Sequence, residues 1–541
     1  PEGDDARFRA VVKALSAEQW KAGPEASIAL IERALEWQGG RGLRVILAFN
    51  CGYSGGTHTS TKKLREMLTK AIPALTSVDF INGEQSSDAV SDYQKNDATN
   101  RIMCIDTSSS SDFDARAFRR ALNRDKKYNR KVLDDQEAVD LMDVHGVGYS
   151  ARGLVAQLRD DGFVTTVDGA TVKLAEAYGF CWGVERAVQM AYEARNAYPG
   201  RQIHITNEII HNPTVNDRLD EMGVMFIEAG EDGEKDFSAV GEGHVVILPA
   251  FGASVHEMKL LQDRGTFIVD TTCPWVSKVW SAVEMQTRKD LTSIIHGKYA
   301  HEETIATASF AGDYIVVKNP DEAQIVIDYI LGAEGALSRE GFLERFGRAI
   351  SPGFDPDVHL LAVGMANQTT MLKGETEFIG KMFEKCMLKK YGPTELKKHF
   401  NVVDTICDAT QVRQDAMYKL VEADPPPDII FVVGGFNSSN TSHLQEIAEE
   451  YNITSYWVDS HERIDLETGK IEHLMASHEM RTTEAGWAPE GPITVGVTSG
   501  ASTPDRAVED VLDKLFKIRN PSFAGVAERD CKPVEKPKSN Y

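Results

Sequence analysis

Short apolar runs recur along most of the chain, each bounded by turn residues and followed by a stretch with apolar positions every three or four residues. From Thr171 onward the runs predict strands at Ile203–Ile209, Val245–Pro249, Phe267–Asp270, Thr292–His296, Tyr314–Val317, Leu360–Met365, Asp428–Val433 and Ile493–Thr498, with helices between most of them. Alternation of this kind argues for α/β layers with mainly parallel sheets. Upstream the pattern differs. The first forty residues are acidic and helix-prone, Leu43–Phe49 and Ser77–Ile81 read as strands, Gly52–Gly56 as a loop and Thr59–Ala71 as an amphipathic helix. Ser108–Asp112 resembles a linker, Phe113–Gly162 is polar and helical without a core of its own, and the last twenty residues form a loose Pro-, Lys- and Ser-rich tail.

A chain of 541 residues is too long for one compact core. The pattern divides it into an N-terminal extension (1–110), a helical linker region (111–170), an alternating α/β region (171–519) and a flexible tail (520–541). The composition, 42% apolar and 26% charged, is that of an ordinary globular protein. A net charge of −23 excludes a nucleic-acid binder, which needs a basic face. An anionic substrate remains compatible with it, since a pocket can be basic inside an acidic protein. No apolar run approaches the roughly 18 residues that span a bilayer. The chain begins with Pro1 and not Met, as expected once a targeting segment has been removed.

Seven cysteines without a CxxC pair do not make a disulfide scaffold, so a reducing compartment is expected. Three of them occupy one kind of place. Cys181 lies between the apolar stretch Lys173–Phe180 and the helix Gly183–Arg195. Cys273 lies between the strand Phe267–Asp270 and Pro274, and Cys407 between Val402–Ile406 and the helix Ala409–Glu422. Each therefore sits at the N-terminus of a helix, where free N–H groups and the dipole favour thiolate. Separations of 92 and 134 residues place each thiolate on a different part of the fold. Three thiolates suit a [4Fe–4S] cluster with one open iron. Three buried structural cysteines fit the spacing equally, whereas zinc sites usually show CxxC-type pairs.

The segments around these cysteines carry more. AYGFCWGVERA (Ala177–Ala187), IIHNPTV (Ile209–Val215), VDTTCPWVSKV (Val269–Val279), HEET (His301–Thr304), NQTTM (Asn367–Met371), ICDATQVRQDA (Ile406–Ala416), NSSNTSHL (Asn437–Leu444) and GVTSGASTPD (Gly496–Asp505) follow one another in order. Together they resemble the LytB-type 4-hydroxy-3-methylbut-2-enyl diphosphate reductases over roughly Phe113–Arg519, most closely the plant and algal branch. The resemblance implies three α/β units (171–273, 274–406 and 407–519) with mainly parallel sheets, set pseudo-threefold around a central iron–sulfur site. Cys181, Cys273 and Cys407 match the ligands of one [4Fe–4S] cluster. His211, His301, Ser438, Ser439, Asn440 and Ser502 match the diphosphate-binding positions, Glu303 the proton-delivering carboxylate and Thr369 its hydroxyl relay. The implied reaction removes a hydroxyl from the allylic diphosphate to give isopentenyl and dimethylallyl diphosphate, the last step of the non-mevalonate pathway. Reduced ferredoxin or a similar donor, the plastid stroma, and a chain that allows a homodimer are implied with it.

One position departs from the bacterial pattern. Bacterial members carry histidine in an Ala-His-Gly segment, and here Phe251 stands between Ala250 and Gly252, as in the plant-like branch. The N-terminal extension weakly resembles selenoprotein-W-type thioredoxin-like domains. Ala48 replaces the first cysteine of their pair with Cys51, so dithiol exchange is not available there. Two other functions stand against the reductase reading: a non-catalytic partner protein that kept the fold within a larger plastid assembly, and an aconitase-like hydratase, which needs no electrons.

Overall fold

The computed structural model describes three backbone strands between residues 43 and 106, then residues 123–526 apart from 125, 151, 168, 228–234, 404 and 489–490, together with Cys531. The acidic first forty residues, the loop Gly52–Gly56, the helix Thr59–Ala71, the linker Ser108–Asp112 and most of the tail lie outside the described residues. The chain divides into two units, Pro1–Phe113 and Asp114–Tyr541. In the first unit the strands Leu43–Phe49, Leu75–Asn82 and Ile102–Asp106 form a parallel sheet with Leu43–Phe49 at its centre.

The second unit contains three sheets. The first runs Tyr128–Asn129, Phe267–Asp270, Val245–Leu248, Ile203–Ile205, Val224–Phe226, all parallel. The second runs Tyr314–Val317, Thr292–His296, Val363–Asn367, Phe400–Val402, again all parallel. The third has a parallel centre of Thr454–Val458, Ile429–Val433, Ile493–Ser499 and Ala170–Leu174. Antiparallel strands flank that centre: Ile471–Leu474 and Met480–Thr483 on one side, Val164–Val167 on the other. Central strands such as VVIL and IIFVV are buried at every position, which is why they read as unbroken apolar runs without alternation. This is the α/β architecture with mainly parallel sheets that the periodicity predicts.

Local differences have local causes. The strand at Ile203 stops at Ile205, because the following residues turn toward the mouth of the sheet and Ile209 N–H is taken by the Asn216 side chain. Leu360 caps a short helix, Pro356–His359, through its N–H to Pro356 C=O, so the strand begins at Val363. Ala170–Leu174 pairs into the third sheet beside Ile493–Ser499, and not into the first. The region expected to be a helical linker contains two helices, Gln136–His145 and Leu154–Asp160, and also contributes edge strands to the first and third sheets.

Five helices carry the residues of interest: α1 (Trp182–Ala197), α2 (Pro274–Thr287), α3 (Glu302–Ser309), α4 (Asp408–Val421) and α5 (Ser439–Glu450). Three of them cross from one sheet of the second unit to another. The segment entering α1 leaves the third sheet, while Ala187, Val188 and Ala191 of α1 pack in the core of the first. The segment entering α2 leaves the first sheet, and Gln286 of α2 bonds to Met365 C=O (2.8 Å) and Ser293 Oγ (2.6 Å) in the second. The segment entering α4 leaves the second sheet, and Ala416, Met417 and Leu420 of α4 pack against Ile430 and Val432 of the third. Truncating Met417, which is fully buried at that junction, is expected to cost about 2–5 kcal/mol. Urea denaturation of Met417→Ala should show a lower midpoint, with Lys419→Ala on the exposed face of the same helix within about 0.5 kcal/mol of wild type; equal midpoints would contradict the packing described.

Candidate active site

The three sheets open onto one cavity of about 110 Å³. Every polar residue bordering it follows the carboxyl end of a parallel strand, where α/β sheets place their ligands. Cys181, Cys273 and Cys407 are the N-cap residues of α1, α2 and α4, and all three line the cavity. Each cysteine amide is tied to a loop from a neighbouring strand: Cys181 N–H to Ala501 C=O (3.1 Å), Cys273 N–H to Ala250 C=O (2.8 Å) and Cys407 N–H to Thr369 C=O (3.2 Å). Burial pushes the Cys273 thiol far up, with Cys181 and Cys407 adding repulsion. It pushes the Cys407 thiol up to about 12, with Cys181 again adding to it. Three thiolates cannot share this space without a cationic partner between them.

The cavity leaves room for such a partner. A methyl group at Gly183 would fall 2.6 Å from Cys273 Sγ and 3.9 Å from Cys181 Sγ, so the first turn of α1 tolerates no side chain there. Among the described residues no three His, Cys, Asp or Glu side chains converge tightly enough to hold a single metal ion. Three sulfurs bordering one hollow suit a larger inorganic cluster instead.

Glu303, one residue into α3, is buried at 3% exposure. Its Oε1 accepts from Thr369 N–H (2.6 Å) and its Oε2 from Thr369 Oγ1–H (3.0 Å). Burial nevertheless outweighs these two bonds and raises the carboxyl to about 7, which makes it an acid with a proton to give near neutral pH. His301 caps α3, and its Nδ1 accepts from Glu303 N–H (3.1 Å). Burial, followed by the nearby His211 and Lys298, drives this imidazole down to about 3, so it is neutral and its Nε2 carries the hydrogen.

His211 meets His301 edge-to-face at 5.3 Å. Its Nδ1 is paired with Glu208 Oε2 at 3.0 Å, and Phe251 stacks on the ring at 4.9 Å and 12°. On the third sheet, Ser438 caps α5, Asn440 Oδ1 accepts from Ala501 N–H (3.0 Å) and Ser502 Oγ donates to His211 C=O (3.2 Å). Three polar atoms remain: His211 Nε2, Ser439 Oγ and Asn440 Nδ2 are buried and have no hydrogen-bonding partner among the described residues. Buried polar atoms of this kind ask for a ligand, and these three border the same cavity.

All the site residues singled out from sequence therefore line a single hollow: Cys181, Cys273, Cys407, His211, His301, Glu303, Thr369, Ser438, Ser439, Asn440 and Ser502. Neither Lys nor Arg lines the hollow; neutral donors and the N-terminus of α5 offer an anion its hydrogen bonds. Sequence reading missed Glu208, whose role depends on a side chain three residues away folding back onto it. It also missed the stacking of Phe251 and the apolar wall of Val184, Ile210 and Val276.

Comparisons with known proteins show which family the chain resembles. The LytB protein family profile matches residues 172–516. The chain is 59% identical over 416 residues to the 4-hydroxy-3-methylbut-2-enyl diphosphate reductase, chloroplastic, of Botryococcus braunii, covering 76% of this chain and 82% of that one. It is 56% identical over 405 residues to the reductase of that name from Synechococcus sp. (strain CC9902), covering 75% and 99%. The Parasynechococcus marenigrum (strain WH8102) reductase is 57% identical over the same length, again covering 75% and 99%.

The buried acid has a measurable signature in the protein without substrate. Folding raises the Glu303 carboxyl from 4.5 to about 7. Its stabilising contribution is therefore complete below pH 4.5 and is lost as pH rises through 7. Glu303→Gln cannot ionise, so between about pH 5 and pH 8 it should gain roughly 2–3 kcal/mol relative to wild type. Chemical denaturation across that range checks it. Stability curves of the two proteins that stay parallel would contradict the raised acidity.

Proposed function

The chain belongs to the LytB protein family, and on that footing we propose that it reductively dehydroxylates 4-hydroxy-3-methylbut-2-enyl diphosphate to isopentenyl and dimethylallyl diphosphate, closing the non-mevalonate pathway. The observation that carries this reading is the meeting of three cysteine-capped helices, a buried acid and three unpartnered polar atoms on one cavity. Cys181, Cys273 and Cys407 would hold one [4Fe–4S] cluster, which when bound supplies electrons and a Lewis-acidic iron with no protein ligand.

The chain's own residues do the rest. The diphosphate takes hydrogen bonds from Ser439 Oγ–H, Asn440 Nδ2–H, His301 Nε2–H and the Ser438 hydroxyl, from Ser502 once its hydroxyl turns away from His211 C=O, and from His211 Nε2–H when both nitrogens of that ring are protonated. Stacking on Phe251 and the Glu208 carboxylate fix the His211 ring, so its free nitrogen faces the anion. Phe251 thus replaces a hydrogen-bonding side chain by one that orients its neighbour, which leaves the non-catalytic reading without support from this position. Val184, Ile210 and Val276 line the apolar part of the hollow and suit a five-carbon chain.

Hydroxide leaves poorly, and a protonated oxygen leaves as water. Glu303 holds that proton, and Thr369 orients the carboxyl with its N–H and hydroxyl. In balance, two electrons and two protons enter, the carbon–oxygen bond of the substrate hydroxyl breaks, one proton departs within water and the other ends on an allylic carbon. The electrons come from a reduced one-electron carrier such as ferredoxin. The plastid is the compartment that fits, supported by the chloroplastic name of the Botryococcus braunii relative. No helix among the described residues is long and apolar enough to cross a membrane.

Two outcomes test the assignment. Glu303→Gln should keep its iron and sulfide and lose about 10²–10⁴ in turnover with chemical reductant; full turnover would remove the acid role. Gly183→Ala should fold yet take up well under half the iron of wild type on anaerobic reconstitution, because its methyl group meets Cys273 Sγ; wild-type loading would mean that the sulfurs do not enclose the cluster there.

A further inference from the structure

Two buried guanidiniums stand behind the cysteines, and the functional reading uses neither. Arg186, on α1 five residues after Cys181, is 9% exposed, and Arg413, on α4 six residues after Cys407, is 4% exposed. Their hydrogen bonds run to backbone carbonyls. Arg186 donates to Thr271 C=O (3.2 Å) and Thr272 C=O (3.4 Å), the two residues just before Cys273, and also to Arg130 C=O (2.6 Å). Arg413 donates to Gly179 C=O (2.5 Å) and Tyr178 C=O (3.4 Å), just before Cys181, and to Ala409 C=O (2.7 Å) on its own helix. Each helix that begins at one cysteine thus clamps the loop leading into another, from Cys407 to Cys181 and from Cys181 to Cys273.

The charge of these clamps is the second observation. Burying a guanidinium costs several kcal/mol unless an opposite charge or strong hydrogen bonds offset it. Among the described residues neither Arg186 nor Arg413 forms an ion pair with a carboxylate, and Arg413 Nε is buried without a partner. The nearest acid to Arg186, Asp270, is already engaged by Arg130, Tyr128 and Thr272. Arg159 makes the contrast: it too donates to a carbonyl near a cysteine loop, Ser150 C=O (2.8 Å), but its charge meets Asp505 at 3.1 Å. Arg186 interacts electrostatically with Asp270 first and then with Cys273, and Arg413 interacts with Cys407.

We infer that Arg186 and Arg413 are positioning residues for the iron–sulfur site, each holding one cysteine loop through its carbonyls and offsetting the negative charge gathered by the three thiolates. This rests on the cluster reading given above. A cluster ligated by three thiolates becomes more negative on reduction, and a nearby fixed positive charge favours the reduced form. Lysine cannot replace the planar fork, because one ammonium does not span two adjacent carbonyls and a third on another segment.

The experiment reconstitutes wild type, Arg186→Gln, Arg413→Gln, the two Lys variants and Arg159→Gln anaerobically with iron and sulfide. It reads far-UV circular dichroism of the apo chains, iron and sulfide per chain, the rate of cluster loss in chelator, and the reduced fraction by electron paramagnetic resonance at a fixed ambient potential. Each Gln variant is expected to lower the reduced-to-oxidised ratio at least tenfold, equivalent to about 59 mV for a one-electron couple. Each Lys variant should recover most of that ratio but lose cluster several-fold faster than wild type, and Arg159→Gln should leave the ratio unchanged. Gln variants that fold and match wild type in ratio and in loss rate overturn the inference. If a Gln variant fails to fold, its Lys counterpart decides, and cluster loss at the wild-type rate overturns it. Failure of wild type itself to assemble a cluster would instead sink the reading of the site, and so is distinguishable.

Discussion

Each of the three cysteines stands where the chain leaves one sheet and enters a helix that packs against the next. Connection and ligand are therefore the same residue. Anything gathered by the three sulfurs also gathers the ends of three sheets, and any displacement of one sheet moves a sulfur. The amide hydrogen bonds from Cys181, Cys273 and Cys407 to Ala501, Ala250 and Thr369 close this arrangement. They carry it into the rest of the site, because Ala501 adjoins Ser502, Ala250 adjoins Phe251, and Thr369 is itself the partner of Glu303. A parallel sheet makes this geometry available, since all its strands deliver their carboxyl ends, and the helix N-termini that follow, to one edge.

The electrostatics follow from burial more than from counted charge. A chain of net charge −23 accommodates an anion in a hollow bordered by a single carboxylate and by no cationic side chain. Neutral donors suffice because burial shields them from bulk solvent, and an unpaired buried donor binds an incoming phosphate oxygen more strongly than an exposed one would. The same desolvation keeps Glu303 protonated near pH 7 and His301 neutral far below its ordinary range. One physical cause thus prepares both the acid and the anion site.

Much of the active site could be read from local sequence because its parts are local. A cysteine between an apolar run and a helix is visible as a pattern, and so are Ser438–Asn440 at the start of α5 and His301–Glu303 at the start of α3. Strands buried on both sides were found at Val245, Phe267, Thr292, Tyr314, Ile429 and Ile493, since they appear as continuous apolar runs. Thr454–Val458 and the hairpin Ile471–Leu474 with Met480–Thr483 were not anticipated. Met480–Thr483 is a polar, largely exposed edge strand, Ile471–Leu474 is interrupted by Glu472 and His473, and Thr454–Val458 opens on Thr454 and Ser455, so none of them appears as an unbroken apolar run.

The sequence by itself determined the kinds of groups available and the turns that carry them, because capping, strand burial and turn formation are settled by neighbouring residues. Tertiary structure alone decided which groups meet. That Glu208 turns its carboxylate to His211, that Phe251 lies flat on the same ring, and that Arg413 reaches the carbonyls before Cys181 depend on packing between segments up to some 230 residues apart. The pocket's lack of lysine and arginine is of the same kind. Exclusion from a hollow is a property of three-dimensional packing, and no count of charges along a chain contains it.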